Sequence, residues 1–183
     1  MSPLTHRSKL MEKDNIVLIG MPGCGKSTAG VILAKAAGYD FIDTDLLIQK
    51  QEKARLAEII QREGNERFLQ IESNVISSLE VIRTVIATGG SAVYSESGMC
   101  HLKKNGRVIY LQVSLPELKI RLKDLKARGV VLPEHTTLEE LYAERTALYR
   151  KYADITVDEG GEGPESTVRK ILSETGGNSS FHS

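Results

Sequence analysis

Gly20-Met21-Pro22-Gly23-Cys24-Gly25-Lys26-Ser27 has the spacing G-x-x-x-x-G-K-S, that of a phosphate-cradling P-loop. The run before it, Asn15-Ile16-Val17-Leu18-Ile19, is apolar and rich in β-branched residues, as a buried strand requires. Residues 28–37 are alanine-rich and carry Val31, Ile32 and Leu33, which predicts a helix. Strand, glycine loop and helix N-terminus are the context in which the motif binds phosphate. The glycines let successive backbone N–H groups turn inward, where a Cβ would obstruct them. The Lys26 ammonium is then expected near the β- and γ-phosphates of a nucleotide, and the Ser27 hydroxyl on Mg²⁺. Gly23, Cys24, Gly25 and Thr28 complete the nucleotide-binding set. The plain alternative, a glycine turn beside a solvated lysine, leaves the correct flanks unexplained.

The chain has 183 residues, enough for one well-buried domain. With 40% apolar and 26% charged residues it is expected to be soluble and globular. Lys and Arg number 24, as do Asp and Glu, so no large basic footprint for nucleic acid is expected. Two cysteines, Cys24 and Cys100, give neither a disulfide framework nor a metal-ligand pair at close spacing. Cys24 reads as a small side chain within the loop rather than a redox group. No run approaches transmembrane length, and residues 1–14 lack an apolar signal core. A cytoplasmic protein with no membrane partner is the expectation.

Further strands are predicted at 39–43, 84–88, 107–113 and 155–157, separated by helical patterns. That alternation implies an α/β fold with a parallel sheet covered on both faces. Ser114-Leu115-Pro116-Glu117 and Thr137-Leu138-Glu139-Glu140 both fit a capping box at a helix start. Pro164 after Gly163 suits the first turn of a last helix, which Gly176 and Gly177 then stop. The organisation read from this is a flexible arm at 1–14, one domain at 15–175 and a flexible tail at 176–183.

A P-loop alone does not distinguish kinases from motor ATPases or GTPases. Phe41-Ile42-Asp43-Thr44-Asp45 closes the second strand, where ligands of open parallel sheets sit. Its two carboxylates suit Mg²⁺ and a substrate hydroxyl; the structural alternative makes Asp45 the N-cap of a helix starting at Leu46. Thr88-Gly89-Gly90-Ser91 closes the third strand and permits close backbone approach to a ligand, or only a sharp turn. Arg128, in the weakly patterned stretch Arg128-Gly129-Val130-Val131-Leu132-Pro133, is placed to swing over a transferring phosphoryl group or to be solvated.

Taken in order, G-x-x-G-x-G-K-S, D-x-D, F-x-x-x-E, the T-G-G strand end, an arginine-bearing lid and R-x-x-L-Y resemble the shikimate kinase family, from about residue 16 to 157. The resemblance implies a three-layer α/β/α P-loop NTPase fold like that of nucleoside monophosphate kinases. Its five-stranded parallel sheet would carry a mobile lid at about 126–137. It implies ATP and Mg²⁺, and transfer of the γ-phosphoryl group to a hydroxyl of a small metabolite, shikimate being the best single candidate, to give shikimate 3-phosphate in aromatic amino acid biosynthesis. By position, Lys26, Asp43 and Arg128 match catalytic residues, and Ser27 and Asp43 the metal-proximal pair. Arg121 and Arg128 match nucleotide-side arginines. Asp45, Gly89, Gly90, Ser91 and Arg145 match the acceptor site, Arg145 gripping the substrate carboxylate; its structural alternative is a surface position on a helix over 138–152. A monomer is expected.

Three positions depart from the family pattern. Phe68 and Glu72 keep the register of F-R-x-x-E, so Leu69 stands where the family has a carboxylate-binding arginine. Arg67 lies two residues earlier, about 200° around a helix of 3.6 residues per turn. A lost charged partner in a desolvated pocket costs on the order of 2–5 kcal/mol of binding. Ser91 replaces the third glycine of the strand end, and Gly129 replaces a proline in the lid. The phosphate-handling residues are complete, so the departures leave two alternatives beside shikimate: a different hydroxylated acceptor, or a nucleotide-binding regulatory module without transfer. The histidines have plain readings: His6 and His182 in the terminal arms, His101 without a second ligand at metal spacing, and His135 in the lid.

Overall fold

The computed structural model describes residues 14–126 and 137–175. The arm before Asp14, most of the lid with Arg128, Gly129 and His135, and the tail at 176–183 lie outside the described residues.

Five parallel strands form one sheet: β1 (Asn15–Ile19), β2 (Asp40–Asp43), β3 (Thr84–Ala87), β4 (Gly106–Gln112) and β5 (Ile155–Asp158), in the order β2-β3-β1-β4-β5. β1 is central, with Ile16 opposite Val85 on one side and Val17 opposite Val108 on the other. Val17, Leu18 and Ile19 are completely buried, which is why this strand reads as a continuous apolar run rather than an alternating one. Each such side chain contributes roughly 1.5–3 kcal/mol by leaving water.

Among the described residues seven helices accompany the strands: α1 (Lys26–Ala37), α2 (Thr44–Glu52), α3 (Leu56–Ser77), α4 (Glu96–Asn105), α5 (Leu115–Lys126) and α6 (Leu138–Tyr152) between them, and α7 (Pro164–Thr175) after the last. The predicted strands and the last helix are present with ends shifted by a residue or two. The Thr137–Glu140 capping box closes in both directions, at 3.2 and 2.9 Å. At Ser114 the hydroxyl accepts only a long bond from Glu117 N, at 3.4 Å. Gly64 interrupts α3 at φ +82°, so the chain restarts its helix there. The second half lays Phe68, Ile71 and Val75 against Ile48 and Ile59, a small core separate from the main one.

Right-handed crossovers place α1 on one face, where it packs on α7, and α3 and α4 on the other. From β1 the chain steps to one side of the sheet, and from β3 to the other. The carboxyl ends of these adjacent strands therefore flank the switch point at which such sheets bind ligands.

Candidate active site

The phosphate side is built by the β1–α1 turn. Gly25 occupies the N-cap of α1 at φ +92°, a conformation costly for any residue with a Cβ. No side chain caps this helix and its first turn carries no acidic residue, so its N-terminal dipole faces an anion unopposed. Lys26 is nearly buried and folds back over the loop. Its ammonium donates to Gly20 O at 2.8 Å and Met21 O at 3.0 Å, and lies 3.7 Å from Cys24 Sγ. Thr28 and Ser27 are exposed at the start of α1.

Ser27 Oγ donates to Asp43 Oδ2 at 2.6 Å, joining the phosphate loop to the end of β2. The other Asp43 oxygen accepts from Asp45 N at 2.9 Å and Leu46 N at 3.3 Å. The cap of α2 is thus Asp43, not Asp45, and the helix starts at Thr44 rather than Leu46. Asp43 has the extended φ/ψ an N-cap needs because it is still the last residue of a strand. Capping fixes its carboxylate and leaves Asp45 to turn inward.

The acceptor side gathers at the end of β3. Gly89 N donates to Thr44 Oγ1 at 3.1 Å, and Tyr149 OH to Gly90 O at 2.7 Å, so α2 and α6 both hold this loop. A Cβ on Gly89 would collide with Glu72 Oε1 and lie 2.7 Å from Asp45 Oδ1; one on Gly90 would lie 2.8 Å from Pro22 Cδ and 3.0 Å from Arg145 Nη1. Here the glycines are needed for space. Arg145 is only 6% exposed, which overturns the surface alternative for this position. Its Nε donates to Tyr94 OH at 3.3 Å and its guanidinium lies 5.4 Å from the Tyr94 ring centre. Ser91 Oγ donates to Glu72 Oε2 at 2.6 Å. Leu69 supplies no donor, and Arg67 points to solvent, bonded to Gln70 at 3.0 Å.

Burial raises both carboxyl groups here. Asp45 is pushed to about 6, first by desolvation and then by the Asp43 charge, with Lys26 opposing. Glu72, 1% exposed, is pushed to about 7 by burial, the Asp45 charge adding to the shift; the Ser91 hydrogen bond, Arg145 and Lys26 oppose it. The folded chain therefore keeps a proton on Glu72 that the unfolded chain releases above its ordinary 4.5. Stability is full below that value and falls as pH rises through about 7, by on the order of 3 kcal/mol. Glu72→Gln is expected to remove the Glu72 share of this slope: between about pH 5 and 8 the parent melting temperature drops by roughly ten degrees and the variant's by less. The remainder belongs to Asp45, whose raised value of about 6 lies in the same window. Calorimetry showing equal slopes would refute the assignment.

Arg121 lies beside the phosphate loop, with Nη1 3.5 Å from Gly23 O. It pairs with Glu117 at 2.9 Å and with the buried Glu159. Every site residue named from the sequence within the described residues converges on this edge of the sheet. Glu72, Tyr94 and Glu159 were not singled out for a role. Glu72 had a signal, its fixed place after Phe68; Tyr94 and Glu159 had none.

The donor set fits Mg²⁺ with a nucleotide: one hydroxyl and one carboxylate oxygen at the open end of an uncapped helix. Mg²⁺ characteristically takes one or two protein oxygens and completes its shell with phosphate and water. Among the described residues no group of three or more His, Cys, Asp or Glu forms a protein-only cage.

Comparison with known proteins agrees with this geometry. The family model described as shikimate kinase matches residues 22–175. A shikimate kinase of Thermodesulfovibrio yellowstonii is 38% identical over 163 residues, covering 87% of this chain and 94% of the relative. Shikimate kinase 2 of Yersinia pseudotuberculosis is 38% identical over 162 residues, covering 86% and 92%. Among solved structures, shikimate kinase from Acinetobacter baumannii in complex with shikimate superposes with a TM-score of 0.81 at 30% identity, covering 91% of this chain and 94% of that one. The chain belongs to the shikimate kinase family, the small-molecule kinases that use ATP and Mg²⁺.

Proposed function

We propose that this chain phosphorylates shikimate with ATP, giving shikimate 3-phosphate and ADP. The observation that carries the reading is the meeting, at one sheet edge, of an uncapped phosphate loop and an inward-facing Asp45 opposite a buried Arg145. The relative solved with shikimate bound supports the choice of acceptor.

Ser27 and Asp43 would hold Mg²⁺, which when bound would supply Lewis-acid stabilisation of the phosphate oxygens. Lys26 exchanges its two loop carbonyls for oxygens of the transferring group, and Arg128 from the lid neutralises the same charge. Arg121, fixed against Gly23 by its two carboxylates, lines the nucleotide side. Arg145 takes the acceptor carboxylate, and its second bond to Tyr94 fixes the direction of the guanidinium. Asp45 orients the acceptor hydroxyl and receives its proton late, as the oxygen–phosphorus bond forms and the β–γ bridge breaks. Positioning and electrostatics supply most of the rate in such a transfer.

Purified protein with Mg·ATP and shikimate is expected to release ADP in a shikimate-dependent manner, at roughly 1–100 s⁻¹. Absence of shikimate-dependent ADP release would reject this acceptor. A second reading, a different hydroxylated acceptor on the same machinery, is favoured by Leu69 and the outward Arg67; a panel of hydroxylated metabolites in the same assay decides between them. A cytoplasmic location rests on composition, and no helix among the described residues is long and apolar enough to cross a membrane.

A further inference from the structure

We propose that Ser91 and Glu72 together form an acceptor-specificity element of this chain. Ser91 anchors one Glu72 oxygen so that the other is presented, beside Asp45, to a second hydroxyl of the acceptor ring. The inference rests on the functional reading above and deepens it by naming what selects the ring.

Three observations carry it. Glu72 is 1% exposed, and its Oε1 has no hydrogen-bond partner among the described residues. A buried acceptor atom without a donor is destabilising, and a ligand that brings the donor is favoured. Oε1 and Asp45 Oδ1 both lie within 3.0 Å of the point a Gly89 Cβ would occupy. Two carboxylate oxygens so close suit two neighbouring hydroxyls of one ring, the reacting hydroxyl at Asp45 and the adjacent one at Glu72. Third, Oε2 is taken by Ser91 at 2.6 Å. A hydroxyl has a single proton to donate, so Ser91 spends it on Glu72 and acts as a positioning residue rather than a contact.

The helix that carries Glu72 offers it no cation. Leu69 has no donor and Arg67 bonds Gln70 at the surface. The charged groups facing Glu72 are Asp45 from α2, Lys26 from α1 and Arg145 from α6. Lys26 is bonded to the phosphate loop and Arg145 to Tyr94. An acceptor carboxylate is repelled from the Asp45–Glu72 side and drawn to Arg145. The ring is thereby oriented from both ends.

Steady-state kinetics at about pH 8, above the raised Glu72 value, test this with shikimate and with 4-deoxyshikimate, which lacks the adjacent hydroxyl. Glu72→Gln is expected to raise the shikimate KM about tenfold, the size of one charge-assisted bond, with the KM for ATP unchanged. With 4-deoxyshikimate, parent and variant are expected to have the same KM. Ser91→Ala is expected to raise the shikimate KM about threefold and Ser91→Thr to restore it, which a purely structural role for the hydroxyl would not require. An ADP-induced rise in melting temperature establishes that each variant is folded; should Glu72→Gln fail it, the Ser91 pair alone decides. Unchanged shikimate KM in the folded variants, or a Glu72→Gln penalty that persists with 4-deoxyshikimate, overturns the inference and leaves the functional reading standing. No shikimate turnover by the parent protein overturns both.

Discussion

Replacing Lys26 with Met is expected to abolish phosphoryl transfer while leaving the chain folded. The Lys26 ammonium is the nearly buried cation of the loop itself, bonded to two of its carbonyls at 2.8 and 3.0 Å. Methionine keeps the length of the stem and removes all three donors. The loss in kcat is expected to be on the order of 10³-fold or more, since the developing charge on the transferring group loses a preorganised partner. The two carbonyls lose a donor beside a loop partly open to water, so the stability cost stays at about 1–3 kcal/mol. Paired kcat and melting measurements check both halves. A variant retaining a tenth of parental turnover would remove Lys26 from the mechanism.

Arg145→Met is expected to act on the other substrate. The shikimate KM rises by roughly 30-fold to several thousand-fold, the equivalent of about 2–5 kcal/mol, and the KM for ATP stays within twofold or so. The size follows from burial: at 6% exposure, a lost guanidinium is not replaced by water. Because Leu69 brings no cation to this pocket, Arg145 carries the carboxylate with less help than the family pattern provides. A shikimate KM moved less than about threefold would place the carboxylate elsewhere and favour the second reading of the acceptor.

The features legible in the sequence are those whose cause lies within a few consecutive residues. The P-loop, the apolar run of β1, the Thr137–Glu140 cap and Pro164 at the start of α7 each carry their own explanation. The Asp43–Asp45 pair was legible as a pair, but which of the two capped α2 was not. That choice depends on where β2 ends, and so on its pairing with β3. Arg145 was legible only through the family resemblance, with a surface helix position as its alternative, because the groups that bury it, Tyr94 and Gly90, lie more than fifty residues earlier. Ser91 and Leu69 were visible only as separate departures. Their relation appears when the β3 loop meets α3 and the serine hydroxyl supplies the partner that the helix withholds from Glu72.

The central place of β1 bears on how the chain is made. The strand that carries the phosphate loop is made before both of its neighbours, which begin at Thr84 and Gly106. Until β3 has been made, this apolar, fully buried strand has no edge to pair with, and its second edge waits for β4. Closing such distant contacts is slow and leaves apolar surface uncovered meanwhile. Nucleotide cannot template this step, since the loop it would bind is shaped by the same unpaired strand.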